Sequence, residues 1–243
     1  MDLIAFAAVT GVVVLGSLVQ VTTGVGGGFV MVPLLAMIDL ALVPAPLIFA
    51  SICLSVIMAV RERAAIDWVH IPLVLVGMLP GAVMGAFLIS QIPLEQLGIV
   101  FGCVILLGVL ITAIGRTLPL TRYSAIAAGT LSGIMGASSG IGAPLLALLY
   151  QNETGARLRG TLAILYTTAS VLILLVLAGF NRFWTEEIIA GTYLIPGFIL
   201  GYLIASRLTA RLNDRFTRIA VLLVSASAAA ALIWRSLPDD LLT

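Results

Sequence analysis

Twice in this chain a glycine-rich break interrupts an uncharged stretch that is too long for a single membrane crossing. Gly24-Val25-Gly26-Gly27-Gly28 runs into Pro33-Leu34-Leu35-Ala36, and Gly136-Ala137-Ser138-Ser139-Gly140-Ile141-Gly142 runs into Pro144-Leu145-Leu146-Ala147. As single helices, residues 3–38 would be about 54 Å long and residues 123–152 about 45 Å, against a hydrocarbon core of about 30 Å. The chain must therefore break or turn back at the glycines. A proline in the first turn of a half-helix costs little, so the half-helices are expected to begin near Pro33 and Pro144.

That argument presumes a membrane, and the composition supplies one. Hydrophobic residues make up 61% of the chain and charged residues 9%, more apolar than a soluble core requires. Further uncharged runs at 40–60, 71–94, 96–115, 160–181, 188–206 and 219–234 each fit one crossing. The N-terminal stretch lacks a basic leader, so it reads as mature structure and not as a cleaved signal. Cys53 and Cys103 sit in apolar runs without metal-ligand spacing and are expected as buried thiols. No metal or cofactor signature appears, and nothing in the charge pattern calls for nucleic acid.

The repetition extends beyond the breaks. Ser51 follows the first PLLA at nearly the distance at which Thr161 follows the second, and Pro80-Gly81 with Gly85 is matched by Pro196-Gly197 with Gly201. Residues 1–118 thus read as one repeat, with a hairpin at 3–38 and helices 40–60, 71–94 and 96–115. Residues 119–243 read as the second, with a hairpin at 123–152 and helices 160–181, 188–206 and 217–235.

Charge selects the topology. There is no lysine, so the arginines alone carry the positive-inside signal. If both breaks are full hairpins, Arg61, Arg63, Arg116, Arg122, Arg157, Arg159, Arg207, Arg211, Arg215 and Arg218 fall on one face, and only Arg182 and Arg235 on the other. With single broken spans the asymmetry vanishes. The expected fold is therefore an all-α polytopic membrane protein of two inverted repeats, each a re-entrant or broken helical hairpin plus three transmembrane helices, with both termini outside.

In such folds, discontinuous helices at the repeat interface form the substrate site. The N-terminus of a half-helix offers unpaired N–H groups and a positive dipole end, which suits an anion without a buried cation. The candidate substrate-binding residues are Gln20, Thr22, Thr23, Gly26, Gly27, Gly28, Ser51, Ser138, Ser139, Gly140, Gly142 and Thr161. The hydroxyls among them have a competing use, bonding to carbonyls of their own helices. Gly77, Gly81 and Gly85, at helical spacing, read as a packing stripe. Arg157 and Arg159 read as interfacial anchors that also stand where an anion would enter. His70 reads as interfacial, and Asp39 and Glu153 as solvated helix ends, leaving no obvious carboxylate for proton coupling.

The segments GVGGGFVMVPLL at 24–35, GIMGASSGIGAPLL at 133–146, Arg159-Gly160-Thr161 and the paired PG-x3-G elements resemble the TauE/SafE family of sulfite exporters and toluenesulfonate-uptake permeases over essentially the whole chain. The resemblance implies a secondary transporter, not an enzyme, in the bacterial inner membrane, taking a small anion such as sulfite or an organosulfonate by alternating access. A coupling ion, proton or sodium, and a homo-oligomer remain open. So does an anion channel. Gly136-Ala137-Ser138-Ser139-Gly140 also matches the G-x-S-x-G pattern of serine hydrolases, which would make Ser138 a nucleophile, but the only histidine, His70, lies in the other half.

The charge argument predicts that cysteines placed at 63, 122, 159 and 215, in a background lacking Cys53 and Cys103, resist impermeant reagents added outside intact cells. Labelling at 159 or 215 with 63 protected would rule out the double-hairpin topology.

Overall fold

The computed structural model describes residues 3–93, 96–115, 118–153, 155–208 and 214–237, and among these there is no β-strand. The chain forms helices α1 (Leu3–Thr23), α2 (Gly27–Ile38), α3 (Ala45–Arg61), α4 (Ile71–Ser90), α5 (Leu97–Ile114), α6 (Arg122–Ser139), α7 (Ala143–Tyr150), α8 (Gly155–Gly179), α9 (Thr185–Thr192), α10 (Ile195–Leu208) and α11 (Asp214–Arg235). Among the described residues, five spans are long and apolar enough to cross a membrane: α1, α4, α5, α8 and the α9–α10 pair.

Both breaks turn the chain back on itself. Gly26, at φ 97°, and Gly140, at φ 82°, occupy the left-handed region, which costs a residue with a Cβ about 1–2 kcal/mol. In the first hairpin α2 returns along α1, so closely that a Cβ on Gly27 would lie 2.6 Å from the Gly16 carbonyl. In the second, a Cβ on Gly142 would lie 2.8 Å from the Ser132 carbonyl. The Leu118 N–H, just ahead of α6, meets the Leu148 carbonyl near the end of α7 at 3.5 Å. A straight helix could make none of these contacts.

Three expectations change. α2 begins at Gly27, so Pro33 lies inside it and not in its first turn, whereas Pro144 does occupy the first turn of α7. The expected helix 188–206 is two pieces, α9 and α10, because Pro196 has no N–H to donate to the Thr192 carbonyl four residues back. The matching Pro80 sits within an unbroken α4. Cys53 is partly covered, and Cys103, expected to be buried, is exposed on α5.

The glycine stripe packs as its spacing implies. Gly77, Gly81 and Gly85 of α4 face the carbonyls of Ile126, Thr130 and Ile134 on α6, and Gly129 and Gly133 of α6 face Val74 and Met78 in return. Absent side chains let the two backbones touch, the usual route to association where lipid provides no hydrophobic drive. α10 packs on α1 in the same way, Gly197 against Val13 and Gly201 against Ser17. Each hairpin's long arm is thus clasped by the PG-x3-G helix of the other half.

These contacts also fix directions. α4 and α6 run parallel, as do α1 and α10, while α5 and α11 are antiparallel, with Gly98 beside Ser236 and Gly102 beside Ile233. Glu62, after α3, bonds Arg159 at the start of α8. Arg61, Arg63, Arg122, Arg157, Arg159 and Arg207 therefore share one end of the bundle. Arg182, bonded to the Ile89 carbonyl at 2.9 Å, and Arg235, bonded to that of Met37 at 2.8 Å, mark the opposite end. Arg116 and Arg211 lie outside the described residues, and the backbone at Arg215 and Arg218 opens α11.

Because backbone atoms oppose Gly81, Gly81→Val should cost about 3 kcal/mol, near the top of the usual overpacking range, seen as lost monodisperse protein after detergent extraction. Gly11→Val, with nothing within 4 Å of its added Cβ, should behave as the parent.

Candidate functional site

The two breaks meet at the centre of the bundle. A Cβ on Gly28 would stand 3.7 Å from Ile141 and 3.8 Å from the Gly140 carbonyl, and one on Gly140 would stand 3.6 Å from Val32 of α2. Beside this junction lies a cavity of about 110 Å³, room for a solute of a few heavy atoms and not for a long organic chain. Gly28 in the first turn of α2 and Gly142 at the start of α7 both border it, so the positive ends of two half-helices face one space. Among the described residues, none that lines it is charged.

Its polar groups come from four helices. α1 gives Gln20, whose amide braces the first break: Oε1 accepts from the Gly27 N–H at 3.0 Å and Nε2 donates to the Gly24 carbonyl at 3.1 Å. α3 gives Ser51, donating to the Ile48 carbonyl at 2.8 Å, and Ser55, donating to that of Ser51 at 2.8 Å. α6 gives Ser132 and α8 gives Tyr166 and Ser170. The Ser132 hydroxyl is buried without a partner, and the Tyr166 hydroxyl, beside the Gln20 amide, completes no hydrogen bond. Buried polar groups are nearly always satisfied. Two such hydroxyls border this cavity, where the acceptor atoms of water or of a small solute could satisfy them.

Of the sequence candidates, Gln20, Gly28, Ser51, Gly140 and Gly142 line this cavity. Thr22, Thr23 and Gly26 line a second one on the other side of the junction. Gly27 is taken up by packing on α1. Ser138 and Ser139 are buried in the last turn of α6, both donating to the Met135 carbonyl, at 3.3 and 2.8 Å, and Ser139 also accepts from the Ile141 N–H at 3.4 Å. The G-x-S-x-G pattern thus lies on a helix end, while His70 stands 3.5 Å from Asp67 in the loop after α3.

Thr161 lies away from the cavity, accepting the Asp67 N–H at 2.9 Å. All three residues of the Arg159-Gly160-Thr161 triplet engage the 62–67 segment of the other half. Arg159 pairs with Glu62 at 3.1 Å, and a Cβ on Gly160 would lie 2.9 Å from the Glu62 carbonyl. Arg157 adds bridges to Asp67 at 3.4 Å and to Glu153 at 3.2 Å. Burial raises the Asp67 carboxyl, but the Val69 N–H, Arg157 and His70 outweigh it and hold the group below its usual value.

Sequence reasoning missed Ser55, Ser132, Tyr166 and Ser170. Ser51 with Ser55 and Tyr166 with Ser170 are i, i+4 pairs on facing helices, a signal that was present. Counting from the PLLA motifs selected Thr161 instead, because α8 has 25 residues and α3 has 17, so equal distances along the chain do not reach equal heights.

A helical, multi-pass body whose discontinuous helices converge on a small, mostly apolar cavity with a few polar groups has the form of a membrane transporter. The family model for Sulfite exporter TauE/SafE matches residues 9–232, and the chain belongs to that family. Comparison with curated proteins gave no match, and neither did comparison with solved structures.

The orphaned hydroxyls yield an expectation about stability. Ser132→Ala and Tyr166→Phe each remove an unsatisfied buried group and should leave the ligand-free protein as stable or stabilise it by about 1–3 kcal/mol. Thermal unfolding in detergent reads this directly; a drop in stability would show that the hydroxyls serve the fold.

Proposed function

We propose that this protein carries a small sulfur oxyanion, sulfite or a compact organosulfonate, across the bacterial inner membrane, binding it in the central cavity. The observation that carries the reading is the convergence of two half-helix N-termini on an uncharged cavity bearing two unpartnered hydroxyls. Helix N-termini and hydroxyl donors together suit tetrahedral or pyramidal oxyanions. The cavity's size favours sulfite over longer sulfonates.

The mechanism in this proposal is alternating access by exchange between two inverted halves. Supporting it, α1 pairs with α10 as α6 pairs with α4, and the cavity is walled by the middle of α3 and the middle of α8. Substrate release toward the arginine-rich end would require the Arg159–Glu62 and Arg157–Asp67 bridges to part, since both join the halves there.

Purified protein should bind sulfite in preference to sulfate and acetate, with taurine and sulfoacetate as tests of size. The Ser51 hydroxyl would turn from the Ile48 carbonyl to the anion, and since a hydrogen bond to a charged partner is worth roughly 1.5–3 kcal/mol against about 1 for the one given up, Ser51→Ala should weaken binding about tenfold. Gly28→Ala fits sterically and should fold yet slow transport in proteoliposomes. Thr161→Val, whose hydroxyl faces Asp67, should leave affinity unchanged. If no sulfur oxyanion binds, or Ser51→Ala binds like the parent, the central cavity is not the site.

A further inference from the structure

On the far side of the hairpin junction lies a larger cavity, about 460 Å³. Gly26 at the N-cap of α2, Phe29 of α2 and Pro144 of α7 border it, while Gly28 and Gly142 border the central cavity. The wall between the two is the opening turn of each half-helix, so the positive dipole ends serve both spaces.

The polar groups of this cavity are not evenly disposed. Thr22 and Thr23 spend their protons on carbonyls of their own turn. Gln151 keeps its Nε2 buried without a partner. Arg159 turns Nε and Nη2 toward one oxygen of Glu62, at 3.3 and 3.1 Å, and among the described residues its Nη1 has no hydrogen-bond partner. Glu62 does not line the cavity, and among the described residues no other carboxylate does. Among the described lining residues, the polar groups not spent on their own helix are the Gln151 amide, the Arg159 guanidinium and the N-terminal turns of two helices. Such a set selects a small oxyanion and disfavours a cation.

We propose that this cavity is a second anion site, an antechamber at the arginine-rich end, where a bound oxyanion competes with Glu62 for Arg159. The substrate class is taken from the reading of the central cavity; the site itself stands on its own residues. The competition has a structural consequence. Glu62 follows α3 in the first half and Arg159 opens α8 in the second, so an anion that draws the guanidinium into the cavity loosens a bridge between the halves. Arg159 also abuts the first break, where a Cβ on Gly24 would be 3.2 Å from its Cγ. An anion arriving at this end thus acts on the joint that must open for it to proceed.

The test uses the full chain purified in detergent, with sulfite as the probe. Glu62→Gln removes the competitor and should tighten sulfite binding at this site about tenfold, the scale of one charge-assisted contact. Glu62→Gln combined with Arg159→Gln removes both charges, leaves no buried ion unpaired, and should abolish the tightened binding. Ser51→Ala in the Glu62→Gln background should leave it intact. Equal affinity in the Glu62→Gln and double variants, or no sulfite binding by Glu62→Gln at all, overturns the antechamber. Tight binding in Glu62→Gln that needs Arg159, with no Ser51-sensitive binding in any variant, upholds the antechamber and removes the central site.

Discussion

Irregular backbone has no solvent inside a bilayer, and this fold depends on that constraint. A chain that unwinds at membrane depth must have its free N–H and carbonyl groups covered by protein or turned to a cavity. Here each break covers the other, with Gly28 against Gly140 and Ile141, and Gly140 against Val32. Local side chains complete the work, since the Gln20 amide ties both ends of the first turn and the Ser139 hydroxyl caps the second. The cavity between the breaks follows from the same geometry: two turns that cross cannot pack as tightly as two helices.

The rest of the bundle holds those turns in place. Each hairpin's long arm is gripped along a stripe of small residues by a helix from the other half, α6 by α4 and α1 by α10. Van der Waals contact of this density is the main adhesive available in lipid. At the arginine-rich end the halves are joined differently, by ion pairs whose carboxylates are largely covered, with side-chain exposures of 15% for Glu62 and 6% for Asp67. Separating such a pair leaves a covered charge uncompensated. The halves are thus held by two kinds of joint, close packing of small residues along the arms and ion pairs at one end.

Much of this was legible in the chain. The glycine breaks, the excess length around them and the arginine distribution sufficed for two hairpins, because run length against bilayer thickness and loop charge are one-dimensional quantities. The spacing of Gly77, Gly81 and Gly85 was enough for close helix packing, since residues four apart share a helix face whatever the partner. The family was legible in the same motifs and is confirmed over residues 9–232.

What the sequence by itself determined about this protein is therefore its solvent, its turning points and its adhesive faces, all set by composition and period along the chain. Tertiary structure alone decided which polar groups share a space. Thr161 and Ser51 match in sequence, yet one caps a loop at Asp67 and the other walls the cavity. Gly27 and Gly28 are neighbours, yet one packs on α1 and the other faces the site. Ser132 and Tyr166 carry no motif and still bring unpartnered hydroxyls to the border of the cavity. Hydrogen-bond satisfaction depends on what stands within about 3 Å, and in a crossing of two hairpins those neighbours come from distant parts of the chain.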